Sequence, residues 1–325
     1  LISAKSMSSS YSPEYVHFTN NLADINRMAQ KNPEKLVLHT DKHFHDSICK
    51  LAKKVAARGC QVVLLSGPSS SGKTTTAHFL ADALNQLGHQ TEMISLDDFY
   101  RAEEETPYWA DGQHDFECLE ALRLDCIQQC LHDLVTSGSC NVPLFDFVHH
   151  RPQPQFRHLN LKKNGIAIIE GIHALNPVLT AELPHNQITR IYISVKQNIY
   201  NGTEELLSAQ EVRMIRRMVR DYNFRSTTPE STLKMWNSVM EGERKYIKPF
   251  KRMADFTVNS LHAYELGVLR GPALMLLHNV EESTGWIAEE MRRLSFALML
   301  FTPVSASLLP PTSLIREFIG GGLYN

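Results

Sequence analysis

The segment Gly67-Pro68-Ser69-Ser70-Ser71-Gly72-Lys73-Thr74 constrains this chain more than any other feature, because it fills the template G-x-x-x-x-G-K-[ST] between an apolar run and a helical pattern. The run before it, Gln61 to Ser66, is a short β-branched stretch of the kind a buried parallel strand shows. After it, Ala77, Leu80, Ala81, Leu84 and Leu87 recur at helical spacing, and Gly88 tolerates the left-handed turn that follows a helix end. A strand, a glycine-rich loop and a helix N-terminus in that order make an anion site. Backbone N–H groups point inward at phosphate oxygens, Lys73 reaches the β- and γ-phosphates, and the Thr74 hydroxyl is placed to ligate Mg²⁺. Gly67 through Thr75 are therefore the expected nucleotide-binding residues.

Four more apolar runs, at 92–95, 166–169, 190–194 and 255–258, alternate with amphipathic stretches, which predicts a parallel sheet covered by helices on both faces between about 60 and 265. Ligands of such sheets sit at the carboxyl ends of the strands. The informative polar residues fall there: the glycine loop after the first strand, Asp97 and Asp98 after the second, Glu170 after the third. Residues 1–59 read as a helical preface without chemistry of its own, with one helix starting at Ser12-Pro13-Glu14 and stopped by Pro33, and a second from Asp41 to Arg58 closed by Gly59. Residues 266–325 read as a mainly helical, then proline-rich, accessory segment.

A net charge of −2 gives no general electrostatic attraction for nucleic acid or an anionic membrane. No apolar run approaches the ~20 residues needed to cross a bilayer, and the polar, Ser-rich start is unlike a signal peptide, so a cytoplasmic protein is expected. The six cysteines contain no C-x-x-C pair and read as reduced thiols. Cys126, Cys130 and His132 share a helix and could contribute to a metal site, although buried small apolar side chains are the simpler reading. The chain opens on Leu1 and reads as a fragment or a processed or tagged product.

Several constellations carry chemistry. Glu170 ends an apolar strand, where a carboxylate lies beside the nucleotide's metal, or else caps a neighbouring helix. Asp97 and Asp98 offer a carboxylate to accept a proton from an attacking hydroxyl or to hold Mg²⁺, with Asp97 the first choice and a plain turn the alternative. Arg213, Arg216, Arg217 and Arg220 fall at i, i+3, i+4 and i+7, with Val212, Ile215 and Val219 on another face of the same helix. Such a stripe, with Arg225 after it, forms a lid over phosphates, an RNA-binding face or a solvated surface. Phe145-Asp146-Phe147-Val148-His149-His150-Arg151 offers aromatic faces and imidazoles for a base, or a core strand burying Phe145 and Phe147.

Taken together, the glycine loop, Ser95-Leu-Asp-Asp-Phe-Tyr100, Pro143-Leu-Phe-Asp-Phe147, Ile169-Glu-Gly-Ile172 and Arg216-Arg-Met-Val-Arg-Asp221 resemble the uridine kinase family, in the family's order, over residues 60–265. The resemblance implies a P-loop NTPase-type α/β sheet with helical additions at both ends, and ATP and Mg²⁺ as donor and metal. It makes Asp97 the base that activates a nucleoside 5′-hydroxyl, puts Thr74 and Glu170 at the metal, and puts Arg216, with Arg225, in a lid near the phosphates. Lys73 and Arg216 join Asp97 as catalytic residues, and Tyr100 joins the substrate-binding set. Asp115 falls at the ribose-hydroxyl position, and Phe145 and His150 at the positions that recognise a pyrimidine. Two departures stand out: the family's Asn-Phe-Asp-His-Pro is here Gln113-His-Asp-Phe-Glu117, and Phe145 replaces the tyrosine of many members.

The preface, Tyr264 to Arg270 and Arg316 to Gly321 resemble a longer bacterial class of nucleoside kinases, whose region related to the threonyl-tRNA synthetase N-terminus is not found in this sequence. The expectation is an ATP-dependent kinase of uridine, and of cytidine as a second substrate, with a small-molecule partner, neither nucleic acid nor membrane, and room for a homo-oligomer. A phosphoribulokinase-like sugar-phosphate kinase and a nucleotide-dependent RNA-binding or regulatory protein are the alternatives.

Overall fold

The computed structural model describes residues 20–109, 112, 114–146, 149–278 and 285–324. The helix start expected at Ser12, and Gln113 and Phe147 of the family motifs, lie outside the described residues. The preface contributes α1 (Leu22–Lys31) and α2 (Pro33–Arg58). Asn32 separates them: its backbone N–H bonds the Met28 carbonyl, while its side chain accepts from Lys35 N. Pro33 thus opens α2 rather than only stopping α1, because the first helical turn leaves its N–H groups unpaired and a missing one costs nothing there. The second helix accordingly starts well before Asp41. Gly59 closes it in the left-handed region, at φ 65°.

The central sheet comprises β1 (Val62–Ser66), β2 (Thr91–Ser95), β5 (Ile166–Glu170), β6 (Ile188–Ser194) and β9 (Phe256–Asn259), all parallel, in the spatial order β2-β5-β1-β6-β9. Each strand falls within two residues of its predicted span. The runs were legible because both faces are covered: Val63 and Leu65 of β1 enter one core, Val62 and Leu64 the other. The connecting helices are α3 (Lys73–Gln86), α4 (Leu124–Ser137), α5 (Ala209–Arg225) and α6 (Pro229–Gly242), the last running on into a π turn at Glu243–Ile247. Two antiparallel pairs were not foreseen, β3 (Ser139–Asp146) with β4 (Arg151–Asn160) and β7 (Ile199–Asn201) with β8 (Glu204–Leu207). Their outer strands are largely exposed and polar, so they carry no apolar run to announce them.

The tail forms α7 (Glu265–His278), α8 (Trp286–Met299) and the short α9 (Arg316–Ile319). Phe44 and Ile48 of α2, Val63 and Leu65 of β1, Val212 and Ile215 of α5, and Leu314 and Phe318 of the tail belong to one hydrophobic cluster. Preface and tail therefore cover the same face of the sheet, and Leu314 of the tail lies against Gly72 of the glycine loop. Among the described residues no helix is long and apolar enough to cross a membrane.

Candidate active site

The glycine loop connects β1 to α3. A Cβ on Gly67 would lie 2.1 Å from the Ile193 carbonyl oxygen of β6, so the loop touches the sheet where no side chain fits. Gly72 stands at φ 84°, and a Cβ there would also lie 2.7 Å from Leu314 of the tail. Lys73 Nζ donates to the Pro68 carbonyl at 3.2 Å. Burial lowers the Lys73 pKa, opposed by the charges of Glu170, Asp97 and Glu317.

Sheet order brings the other groups to the same edge. In the register, Glu170 of β5 pairs with Leu65 of β1 on one side and Ser95 of β2 on the other. The three strand ends are therefore successive neighbours at about 4.8 Å spacing. Glu170 Oε1 accepts from Ser95 Oγ at 3.0 Å and from Thr74 Oγ1 at 3.4 Å. Its pKa is pushed up to about 7, first by burial and then by the Asp97 charge, with Lys73 and Ser95 opposing. Two hydroxyls and a carboxylate are hard oxygen donors, so this set fits Mg²⁺ shared with phosphate oxygens. Among the described residues no group of three or more His, Cys, Asp and Glu side chains could hold a metal by itself, and that includes Cys126, Cys130 and His132.

The two aspartates after β2 part company. Both lie in a 3₁₀ turn, Leu96–Phe99, whose Asp97 N–H is capped by Ser95 Oγ at 3.3 Å. Asp97 sits close enough to Lys73, Glu170, Tyr100, Glu117 and Arg225 to act on their charge states. Asp98 faces Arg157 and the Phe145 backbone instead, and burial raises its pKa.

Further polar and aromatic groups gather near Asp97. Asp115 is buried, accepting from Tyr246 OH at 3.1 Å through one oxygen and from Glu117 N at 3.1 Å through the other. Burial raises its pKa and these bonds oppose the shift. Tyr100 donates to the Phe116 carbonyl at 3.1 Å, and its ring lies 6.0 Å from that of Phe145. His150 is exposed in the turn between β3 and β4, at φ 49°, with its ring 4.0 Å from Glu103 Oε2 and its carbonyl accepting from Glu103 N. Its ring and backbone both meet Glu103.

Sequence reasoning missed Tyr246 and Glu117. Tyr246 comes from the π turn 131 residues away from its partner, with no local signal. Glu117 had one, since it stands where the motif departs from the family pattern. It is packed so closely under α6 that a Cβ on Gly242 would lie 2.6 Å from its own Cβ.

The arginine stripe needs correction. It is neither a solvated face nor a free lid, because its helix runs behind the loop and its guanidinium groups are paired. Arg213 donates to the Ser69 carbonyl at 3.1 Å and pairs with Glu243 at 2.6 Å, both side chains buried. Arg216 is fully buried, donates to the carbonyls of Ser260 at 2.7 Å and Ser70 at 3.3 Å, and pairs with Glu265. It braces the loop from inside the core. Arg217 is the one that meets a loop side chain, donating to Ser69 Oγ at 2.9 Å. Asp221 gathers Arg217 at 3.2 Å, Arg220 at 2.8 Å and the exposed Arg225 at 3.6 Å. Arg213 and Arg216 thus turn inward, while Arg225 at the end of α5 stays exposed.

The chain is 26% identical to a uridine kinase of Saccharomyces cerevisiae over 203 residues, which is 62% of this chain and 37% of the yeast protein. It is 26% identical to a uridine kinase of Staphylococcus carnosus over 198 residues, 61% of this chain and 86% of that protein. A solved structure described as a possible uridine kinase from Bacillus stearothermophilus superposes with a TM-score of 0.44 at 18% identity, covering 66% of this chain and 98% of the other. The family model described as phosphoribulokinase / uridine kinase matches residues 62–266, from the first residue of β1 to the start of α7. This chain belongs to the phosphoribulokinase / uridine kinase family.

Proposed function

We propose that this protein is an ATP-dependent nucleoside kinase that phosphorylates the 5′-hydroxyl of uridine, and of cytidine as a second substrate. The observation that carries the reading is the convergence of the glycine loop, Glu170 and Asp97 on three neighbouring strand ends, with Lys73 under the influence of both carboxylates. In this mechanism the loop amides and Lys73 hold the triphosphate, and Asp97 accepts the 5′-hydroxyl proton as that oxygen attacks the γ-phosphorus in line. Thr74 and Glu170 would hold Mg²⁺, which would supply neutralisation of phosphate charge. Arg217 orients Ser69 at the loop, while Asp115, held by Tyr246, is suited to accept hydrogen bonds from ribose hydroxyls. Tyr100 and Phe145 offer ring faces to a base.

A phosphorylated sugar suits this site less well, because a second phosphate beside the neighbouring carboxyl groups of Asp97, Asp115 and Glu117 would be repelled by whichever of them are ionised. The test is ADP release with Mg²⁺-ATP across uridine, cytidine, other nucleosides and ribulose 5-phosphate. Turnover with uridine, and a drop of about 10²–10⁴ in kcat for Asp97→Asn at unchanged ATP affinity, is the expected result. Turnover confined to the sugar phosphate, or near-normal kcat in Asp97→Asn, overturns it.

A further inference from the structure

We infer that Glu317, in the tail, is an intramolecular competitor for the nucleotide phosphates. This rests on the phosphate-site reading above and adds regulation to it. Its carboxylate accepts from Thr75 Oγ1 at 2.7 Å and from Thr75 N at 3.3 Å. That N–H is one of the unpaired donors in the first turn of α3, the group of amides that an anion takes at a helix N-terminus. A carboxylate placed there presents the charge and the acceptor oxygens of a phosphate, and it lies close enough to Lys73 to act on its pKa. Thr75 cannot give the same two donors to a phosphate while Glu317 holds them.

The contact is built rather than incidental. Leu314 presses on the Gly72 Cα, leaving no room for a Cβ. Leu314, Ile315 and Phe318 are fully buried on either side of Glu317. Ser313 shares a buried hydrogen-bonded group with Tyr264 and, through it, with Asp41 of α2. Arg316 donates to the carbonyls of Leu309 at 2.8 Å and Ala306 at 2.9 Å, and the ring of Phe318, two residues along the chain, packs under the Arg216 guanidinium. The tail backbone is thus fixed at the loop, and release needs only a rotamer change of the Glu317 side chain. A nucleotide must drive that change and then accept a carboxylate beside its phosphates, so the tail weakens nucleotide binding at a set distance.

Titration calorimetry of the full chain with ATP, tripolyphosphate and adenosine tests this in wild type, Glu317→Gln and Glu317→Ala. Both variants are expected to bind ATP and tripolyphosphate about 5–10-fold more tightly, the scale of one charge-assisted contact removed, with adenosine affinity unchanged. ATP binding that is equal to wild type or weaker in both variants overturns the inference and leaves the phosphate site standing. Equal gains for adenosine also overturn it, since the effect would then lie at the base. Wild-type protein and both variants that bind neither ATP nor tripolyphosphate would remove the phosphate site, and the inference with it. Far-ultraviolet circular dichroism and thermal melts establish that the variants are folded.

Discussion

Replacing Arg216 by Met separates two roles for this residue that sequence alone cannot distinguish. A lid arginine would be exposed, so its loss would leave stability unchanged and reduce turnover. Arg216 is instead fully buried, and its removal leaves the equally buried Glu265 carboxylate without its counter-charge. Breaking a buried ion pair by removing one partner is strongly destabilising, by about 3–5 kcal/mol. The Ser70 carbonyl loses a donor too, as does that of Ser260, which places the effect toward the top of this range. At about 2 °C per kcal/mol for a chain of this size, the melting temperature should fall by roughly 6–10 °C. Arg216→Met/Glu265→Leu removes both charges and should recover most of the loss. Differential scanning calorimetry of wild type, the two single variants and the double variant completes the cycle, with kcat measured on the same samples at a temperature where all are folded. An unchanged melting temperature in Arg216→Met together with lost turnover would refute the bracing role and return Arg216 to the phosphates.

Protonation of Glu170 offers a second test. Its folded-state pKa of about 7 exceeds the ordinary 4.5, so the native state binds the proton more tightly than the unfolded chain and nucleotide-free stability from this group is lost as pH rises from about 4.5 through 7. Glu170→Gln should flatten that part of the melting-temperature profile, and an unaltered profile would count against the burial effect. Mg²⁺-dependent nucleotide affinity should change in the opposite sense, rising through pH of about 7 as the carboxylate ionises, and should lose that rise in Glu170→Gln. Phe145→Tyr adds a hydroxyl beside the Tyr100 ring and should lower the KM for uridine by up to about tenfold through one further hydrogen bond; an unchanged KM would place the base elsewhere.

Some of this protein was written locally in its sequence. The glycine loop, its strand and its helix are contiguous, and the five sheet strands were legible because burial on both faces demands unbroken apolar runs. Asp97 and Glu170 could be placed beside the glycine loop because all three follow strands of one parallel sheet, whose carboxyl ends lie together. What the tertiary structure alone decided are pairings between distant residues. A periodic pattern shows that Arg213, Arg216 and Arg217 share a helix sector, but not whether that sector meets water, phosphate or carboxylates. Glu243 and Glu265, 30 and 49 residues from their arginines, settle that they turn inward. The separation of Asp97 from Asp98, the Tyr246 hydroxyl on Asp115 and the Glu317 carboxylate on Thr75 arise in the same way. Each depends on which chain-distant group fills a given space, and hydrophobic periodicity, a property of neighbours along the chain, carries no record of that.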